Sequence, residues 1–314
     1  MRTPRTTGAR HKRVSAFARR RARGVAFVLV LWVIAMLAIL LGSFSLVART
    51  ENLQSRHLFD TTQARYAAEA GLNLAVFELR KADPLERWVA DGRPYTFGYG
   101  DAELEVSITD DSGKIDINAA DGAMLTNLLV AHGIELDKAQ ALSDAILDWR
   151  EPGEAKRPNG AKAADYKAAG LSYGPANAPF NTVSELQQVL GMDYALYAQL
   201  EPALTIYSGR NQPSAAFAPL EALEALPGMT PEIARELIRQ RQALAPGDIA
   251  GAGLTLPDGT PLIAGGGGLT YSVKSRAKLP NGASTTLDAT IRMGGINTAG
   301  RPYVILRWRD RETS

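Results

Sequence analysis

From Val25 to Leu41 every residue is apolar, and the run continues through Gly42, Ser43, Phe44, Ser45, Leu46, Val47 and Ala48 before the first charge at Arg49. These 24 residues carry no ionisable side chain. At about 1.5 Å rise per residue a helix of this length spans a hydrocarbon core of about 30 Å. With no water there to bind backbone groups, the segment must be helical. The pattern then changes without a break. Glu51 to Lys81 holds no Pro, and its one Gly is Gly71. Helix-forming Ala is frequent, at 64, 67, 68, 70 and 75. Small and apolar residues recur at helical spacing: Thr50, Leu53, His57, Thr61, Ala64, Ala68, Leu72, Ala75, Leu79. Asp83-Pro84 stops the run, because the residue before Pro is driven out of the helical region. One helix from about 25 to 81 is expected, apolar all round in its first half. Its second half is amphipathic and must pack on a globular domain.

Beyond a turn-rich link at Asp91-Gly92-Arg93-Pro94 the period becomes two. Ala102, Leu104, Val106 and Ile108 alternate with Glu103, Glu105, Ser107 and Thr109, which predicts a half-buried strand. Asp110-Asp111-Ser112-Gly113 closes it as a turn. Residues 114–208 read as helical, broken at Gly133, at 151–160 and at Gly191. A helix–short turn–helix pattern recurs near 119–149, 183–204 and 219–242. In the last of these, Thr230 is placed to cap a helix with Pro231 at its first position. Gly247 to Gly268 reads as a connector; no Lys-Ser or Lys-Thr follows its glycines, so it is not a P-loop. Leu269–Leu279, Thr285–Met293 and Tyr303–Trp308 read as strands, the first two joined by a Pro280-Asn281-Gly282 turn. The strand at 102–109 thus precedes the helical block and its sheet partners follow it. The helical region is therefore an insertion within an α+β domain.

Charge sharpens the first element. Residues 1–24 contain nine Lys or Arg and no acid, which keeps that end cytoplasmic and places residues 49–314 across the membrane. Without residues 1–24 the chain has 26 basic and 33 acidic residues, a formal charge of −7. An acidic surface argues against broad binding to phosphate backbones. There is no Cys, so no disulfide or thiolate metal site can form. His11, His57 and His132 are far apart in sequence, which disfavours a His-based metal or catalytic cluster.

The junction Arg23-Gly24-Val25, a Gly between a basic and an apolar run, resembles the class III signal of type IV pilins and pseudopilins. The resemblance implies cleavage after Gly24 by a prepilin peptidase and methylation of Val25. Where most pilin-like proteins carry Glu at the fifth mature position this chain has Leu29, a departure that resembles the K-class minor pseudopilin of type II secretion. Ala64-Arg65-Tyr66-Ala67-Ala68-Glu69-Ala70-Gly71, Asp111 to Asn118, Ala145 to Arg150, Arg157 to Ala161, and Pro179-Phe180 with Ser184-Glu185-Leu186 extend that resemblance over nearly the whole chain. It implies a long N-terminal helix packed on an antiparallel sheet, with a large inserted all-helical domain of helix-hairpin-helix or SAM-like type. The expected organisation is a leader (1–24), a transmembrane segment (25–48), an amphipathic helix with the first strand (49–112), the insertion (113–245), a Gly-rich linker (246–268) and the last strands (269–314). The expected role is non-enzymatic: a tip subunit of the pseudopilus, held in the inner membrane with its bulk periplasmic. Its partners would be the I- and J-class minor pseudopilins, other pseudopilins and the prepilin peptidase. Leu29 and Trp32 are the expected membrane and assembly residues.

Some members of that family bind calcium in the helical domain, and the candidate ligands here are Asp148, Glu151 and Asp165. Where relatives carry an acidic run before the Tyr, this chain has Lys162-Ala163-Ala164-Asp165. Calcium takes six to eight oxygens, too many for this set, so solvated loop carboxylates are the leading expectation and calcium the alternative. Two other functions fit the residues less well. Leu223 to Met229 resembles a DNA-binding helix-hairpin-helix, but its second Gly is replaced by Thr230, and Glu135 and Asp137 beside Gly133 repel phosphate. Asp144 and Asp148 lie one turn apart on a predicted helix, like an acid/base pair, a spacing more common on a solvated face.

Overall fold

A computed structural model of the chain describes residues 18–245, 253–262, 267–294 and 300–313. The first helix, α1, runs from Ala18 to Leu79. From Val25 to Phe59 every residue on it is exposed. Two hydroxyls in and just beyond the apolar segment are bonded within the helix. Ser43 Oγ donates to the Leu40 carbonyl (2.8 Å) and Thr50 Oγ1 to that of Leu46 (3.0 Å). The expected stripe therefore splits. Leu53 and His57 are exposed, whereas Ala64, Ala68, Leu72 and Ala75 are buried.

The next elements are β1 (Asp91–Tyr99) and β2 (Ala102–Asp110), paired antiparallel. Strand β1 corrects the turn-rich link expected at Asp91–Pro94. Pro94 cannot donate to a ladder, and Asp-Gly looks like a turn. Both are tolerated here because β1 is an edge strand with a register irregularity between Asp91 and Pro94. In β2 the alternation is realised: Ala102, Leu104, Val106 and Ile108 are buried, while Glu103 and Glu105 face outward.

The chain then leaves the sheet. It forms β3 (Ile115–Asp116), α2 (Gly122–Ala131), α3 (Leu136–Arg150), α4 (Ala163–Ala168), α5 (Tyr194–Leu200), β4 (Leu204–Thr205), α6 (Leu220–Glu224) and α7 (Pro231–Ala243). Side chains cap three helices: Asp121 accepts from Met124 N (2.8 Å), Asp193 from Leu196 N (2.8 Å) and Thr230 from Ile233 N (3.3 Å). The reading of 114–208 as helical needs one correction. β3 and β4 pair in parallel through Ile115–Leu204 and Asp116–Thr205. Two residues per strand are too few to show a period. A second correction concerns the Gly-rich connector, of which 246–252 and 263–266 lie outside the described residues. Its described part bridges Thr255 to Pro261, and Leu254, Leu256 and Leu262 pack on the helical core.

The chain returns through β5 (Thr270–Lys278), β6 (Ser284–Arg292) and β7 (Val304–Thr313). The sheet order is β1-β2-β5-β6-β7, antiparallel throughout, so the entire helical block lies between the neighbours β2 and β5. The fold is α+β, with α1 from Ala64 onward laid on the sheet and helices inserted between two adjacent strands. Each part has its own apolar cluster, one between α1 and the sheet and one within the insertion.

Helix α1 reaches the sheet closely because Ala64, Ala67, Ala68, Gly71 and Ala75 are small. A Cβ on Gly71 would overlap Ser275 Oγ and lie 3.0 Å from Val106 Cγ2. Gly71→Val should lower thermal stability by about 1–3 kcal/mol, the usual range for overpacking. Adding Ser275→Ala should recover part of that loss, because Ser275 Oγ has no hydrogen-bond partner to lose. Unfolding of the single and double variants, compared as a cycle, checks both points.

Candidate functional site

The residues expected to serve processing and assembly all lie on α1. Gly24 and Val25 sit within its continuous helix, and Val25, Leu29 and Trp32 share one face at spacings of four and three. They are 67%, 62% and 64% exposed. With Leu29 in place of a carboxylate, the segment is uniformly apolar on all sides from Val25 to Leu41. It is the one helix among the described residues long and apolar enough to cross a membrane.

A structural feature not legible in the sequence is the polar joint that seats the insertion on the sheet. The chain leaves the sheet at Asp110 and re-enters it at Thr270, and one carboxylate holds both strands of the crossing. Asp110 accepts from Ser112 N and Gly268 N, each at 2.8 Å. Burial holds its carboxyl above the usual range despite these bonds. Next to it, Asp111 accepts from Ser272 Oγ on β5 and from Thr205 Oγ1 on β4, both at 2.7 Å, and pairs with Lys114 at 3.2 Å. Farther along, on β3, Asp116 accepts from Asn118 N (2.8 Å) and Gly209 N (2.7 Å). Three acids within seven residues thus tie β2, β3, β4 and β5 together. The signal that was available is the pair of acids directly after a period-two strand, followed by Ser-Gly-Lys.

The insertion also grips both edges of the sheet. At β1, Arg93 binds the Asp91 carboxylate through Nε (3.0 Å) and Nη2 (2.9 Å). The same guanidinium donates to the carbonyls of Arg241 and Leu244, each at 2.9 Å. Arg241, only 1% exposed, donates to the carbonyls of Ala215 (2.8 Å), Ala218 (2.8 Å) and Asp91 (2.9 Å). At β7, Glu201 of the insertion receives Arg309 at 2.5 Å, and Arg307 stands 3.5 Å from it while pairing with Asp288 at 3.0 Å.

The three candidate metal ligands do not meet at one point. Asp148, fully buried, and Glu151 converge on Arg157. Asp165 pairs instead with Lys156 at 2.9 Å. The side-chain bond from Arg157 holds the Glu151 carboxyl below its ordinary value, and the Lys162 backbone N–H followed by Lys156 does the same for Asp165. Among the described residues no group of three His, Cys, Asp or Glu side chains is placed to hold a metal. Asp144 accepts from Asn159 N (3.2 Å) and does not join Asp148 as an acid/base pair.

A family profile described as "Type II secretion system (T2SS), protein K" matches residues 104–209, from β2 through the first two-thirds of the insertion. The chain is 29% identical over 204 residues to the type II secretion system protein K of Klebsiella pneumoniae, covering 58% of this chain and 62% of that one. It is 25% identical over 250 residues to protein K of Pectobacterium carotovorum, covering 71% and 76%. Over these stretches the chain is similar to protein K of type II secretion systems. The fold agrees with that of a chain from the GspK–GspI–GspJ complex of enterotoxigenic Escherichia coli. That match has a TM-score of 0.56 at 19% identity, over 85% of this chain and 99% of the other. The profile match spans Asp110, Asp111 and Asp116 at the joint and the Asp148–Asp165 loop. It stops short of Arg241.

Proposed function

We propose that this chain is a protein K of type II secretion, a non-enzymatic tip subunit of the pseudopilus. It is synthesised with a basic leader, cut after Gly24 and methylated at Val25. It is held in the inner membrane by residues 25–48, with the cytoplasmic side at the N-terminus and the rest periplasmic. The observation that carries this reading is α1. A fully exposed apolar segment continues as one helix into the spine of a sheet domain, and no side chain along Val25–Ala48 can titrate. Such a face suits lipid first and the apolar helices of neighbouring subunits afterwards.

The solved GspK chain that shares this fold was captured with GspI and GspJ, which supports I- and J-class pseudopilins as partners here. The insertion adds bulk beside the sheet, and Leu29 removes the carboxylate that would face a neighbouring subunit's N-terminus. Both favour a terminal position in a fibre. The helix-hairpin-helix of α6 and α7 gains no support as a DNA site, because Glu221, Glu224 and Glu232 surround its loop and repel phosphate. Mass spectrometry of the N-terminus from cells with an active secretion system is the direct test. A peptide beginning with methylated Val25 is expected; an intact Met1, or a start near residue 48, would refute the assignment.

A further inference from the structure

The most unusual polar group in the insertion is a buried ammonium. Lys162 is 4% exposed. Its Nζ donates three hydrogen bonds, to the carbonyl oxygens of Asp148 (2.7 Å) and Glu151 (2.9 Å) and to Asn177 Oδ1 (2.9 Å). An ammonium has three donors, so each is used. Asn177 supplies its oxygen from a backbone φ of 50°, the one positive φ among the described non-glycine residues. Two main-chain carbonyls and one amide oxygen thus converge on a positive charge, as they would around a hard cation.

The surrounding carboxylates are already committed. Asp148 Oδ1 accepts from Arg157 Nη1 (3.0 Å) and Oδ2 from Arg157 N (3.2 Å). Glu151 Oε1 and Oε2 accept from Arg157 Nη2 (2.6 Å) and Nη1 (2.7 Å). Asp165 Oδ1 accepts from Lys156 Nζ and Oδ2 from Lys162 N, both at 2.9 Å. All six carboxylate oxygens therefore bind N–H donors. Three anions, Asp148, Glu151 and Asp165, are matched by three cations, Lys156, Arg157 and Lys162. A divalent ion would unbalance this set and would have to displace the buried ammonium. The residues present do not fit the calcium that the family resemblance implies.

We propose that the loop between α3 and α4 is organised around a covalently attached cation, the Lys162 ammonium, in the role a dissociable metal ion would fill. The insertion then folds without metal, and the loop keeps its form in a compartment whose free calcium varies. Lys162 is a positioning residue: it fixes the carbonyls that end α3 and, through them, the Asp148–Arg157–Glu151 cluster.

The test uses the full chain in detergent micelles, with thermal unfolding and the rate of tryptic cleavage after Lys156 as readouts. For the wild type, neither EDTA nor millimolar calcium should change either readout. Lys162→Ala should be cut about tenfold faster or more, as the loop opens more often. Calcium should slow that cleavage in the variant alone, since it can occupy the vacated oxygens. A wild type that is destabilised by EDTA, or a Lys162→Ala protein as stable and as resistant as the wild type, would overturn the proposal. The EDTA arm stands even if the alanine variant does not fold.

Discussion

Gly113→Ala should leave the insertion unable to seat on the sheet. Gly113 lies in the short 3₁₀ turn between β2 and β3, at the point where the chain leaves the sheet. A Cβ there would overlap the Phe217 carbonyl carbon and sit 2.5 Å from Ala218 N and 2.6 Å from Phe217 O. These are main-chain atoms, so no rotamer change relieves the contact. Their segment is itself pinned, because Ser214 N donates to Ser112 O (2.8 Å) and the Ala218 carbonyl accepts from Arg241 (2.8 Å). The backbone must therefore move on both sides of the joint, breaking the bonds of Asp111 and Asp110. The expected loss is about 3 kcal/mol or more, at or beyond the upper end of ordinary overpacking. Gly98→Ala is the matched control. Gly98 lies on the exposed edge strand, and an added Cβ meets nothing within 4 Å. Chemical denaturation of both variants decides the point. A Gly113→Ala protein as stable as the Gly98→Ala control would show that the joint is not the close contact described.

The features readable in the sequence were those with a long repeat or a local rule. The apolar run at 25–48, the alternation at 102–109 and the Pro231 helix start each occupy enough residues to show a period or a cap. The split of the sheet was also legible, because one clear strand precedes the helical block and three follow it. What stayed hidden was short or non-local. β1 was masked by Pro94 and Asp-Gly, which carry turn meaning until an edge position is known. β3 and β4 are two residues each and lie about ninety residues apart, which no window detects. Arg241 reads as one more charge on the amphipathic helix α7, yet it is 1% exposed and donates to the main-chain carbonyl of Asp91, about 150 residues away. The metal candidates show the converse. Asp148, Glu151 and Asp165 were visible as acids, but their partners Lys156, Arg157 and Lys162 lay in the same loop and decide what those acids bind.

Arg241→Met should cost about 3–5 kcal/mol, the range for removing one partner of a buried pair. Replacing a whole buried ion pair with apolar residues is often harmless, so the direction has to be argued from what remains. Three carbonyls, of Ala215, Ala218 and Asp91, would lose their donor, and a thioether cannot replace it. The Asp91 carboxylate, 0% exposed in its side chain, would keep only Arg93. Burial already pushes Arg241 down to about 10, the guanidinium gaining back only part of that from Asp91 while Arg93 opposes it. The folded value lies below the unfolded one, so the unfolded chain holds this proton more tightly. The charge is therefore a constant cost below pH 10 and is relieved as pH rises above 10 toward the ordinary guanidinium value. At neutral pH that cost is offset by the three carbonyls that Nη1 and Nη2 satisfy. Arg241→Lys, with a point charge and a shorter reach, should fall between wild type and Met. Because Arg241 joins α7 to β1, its loss should free the β1 edge more than it disturbs the helical core. Hydrogen exchange at residues 91–99 and 237–244 would show this, with protection falling in both segments together. Unchanged protection at β1 in Arg241→Met would mean that Arg93 alone holds the insertion to that edge.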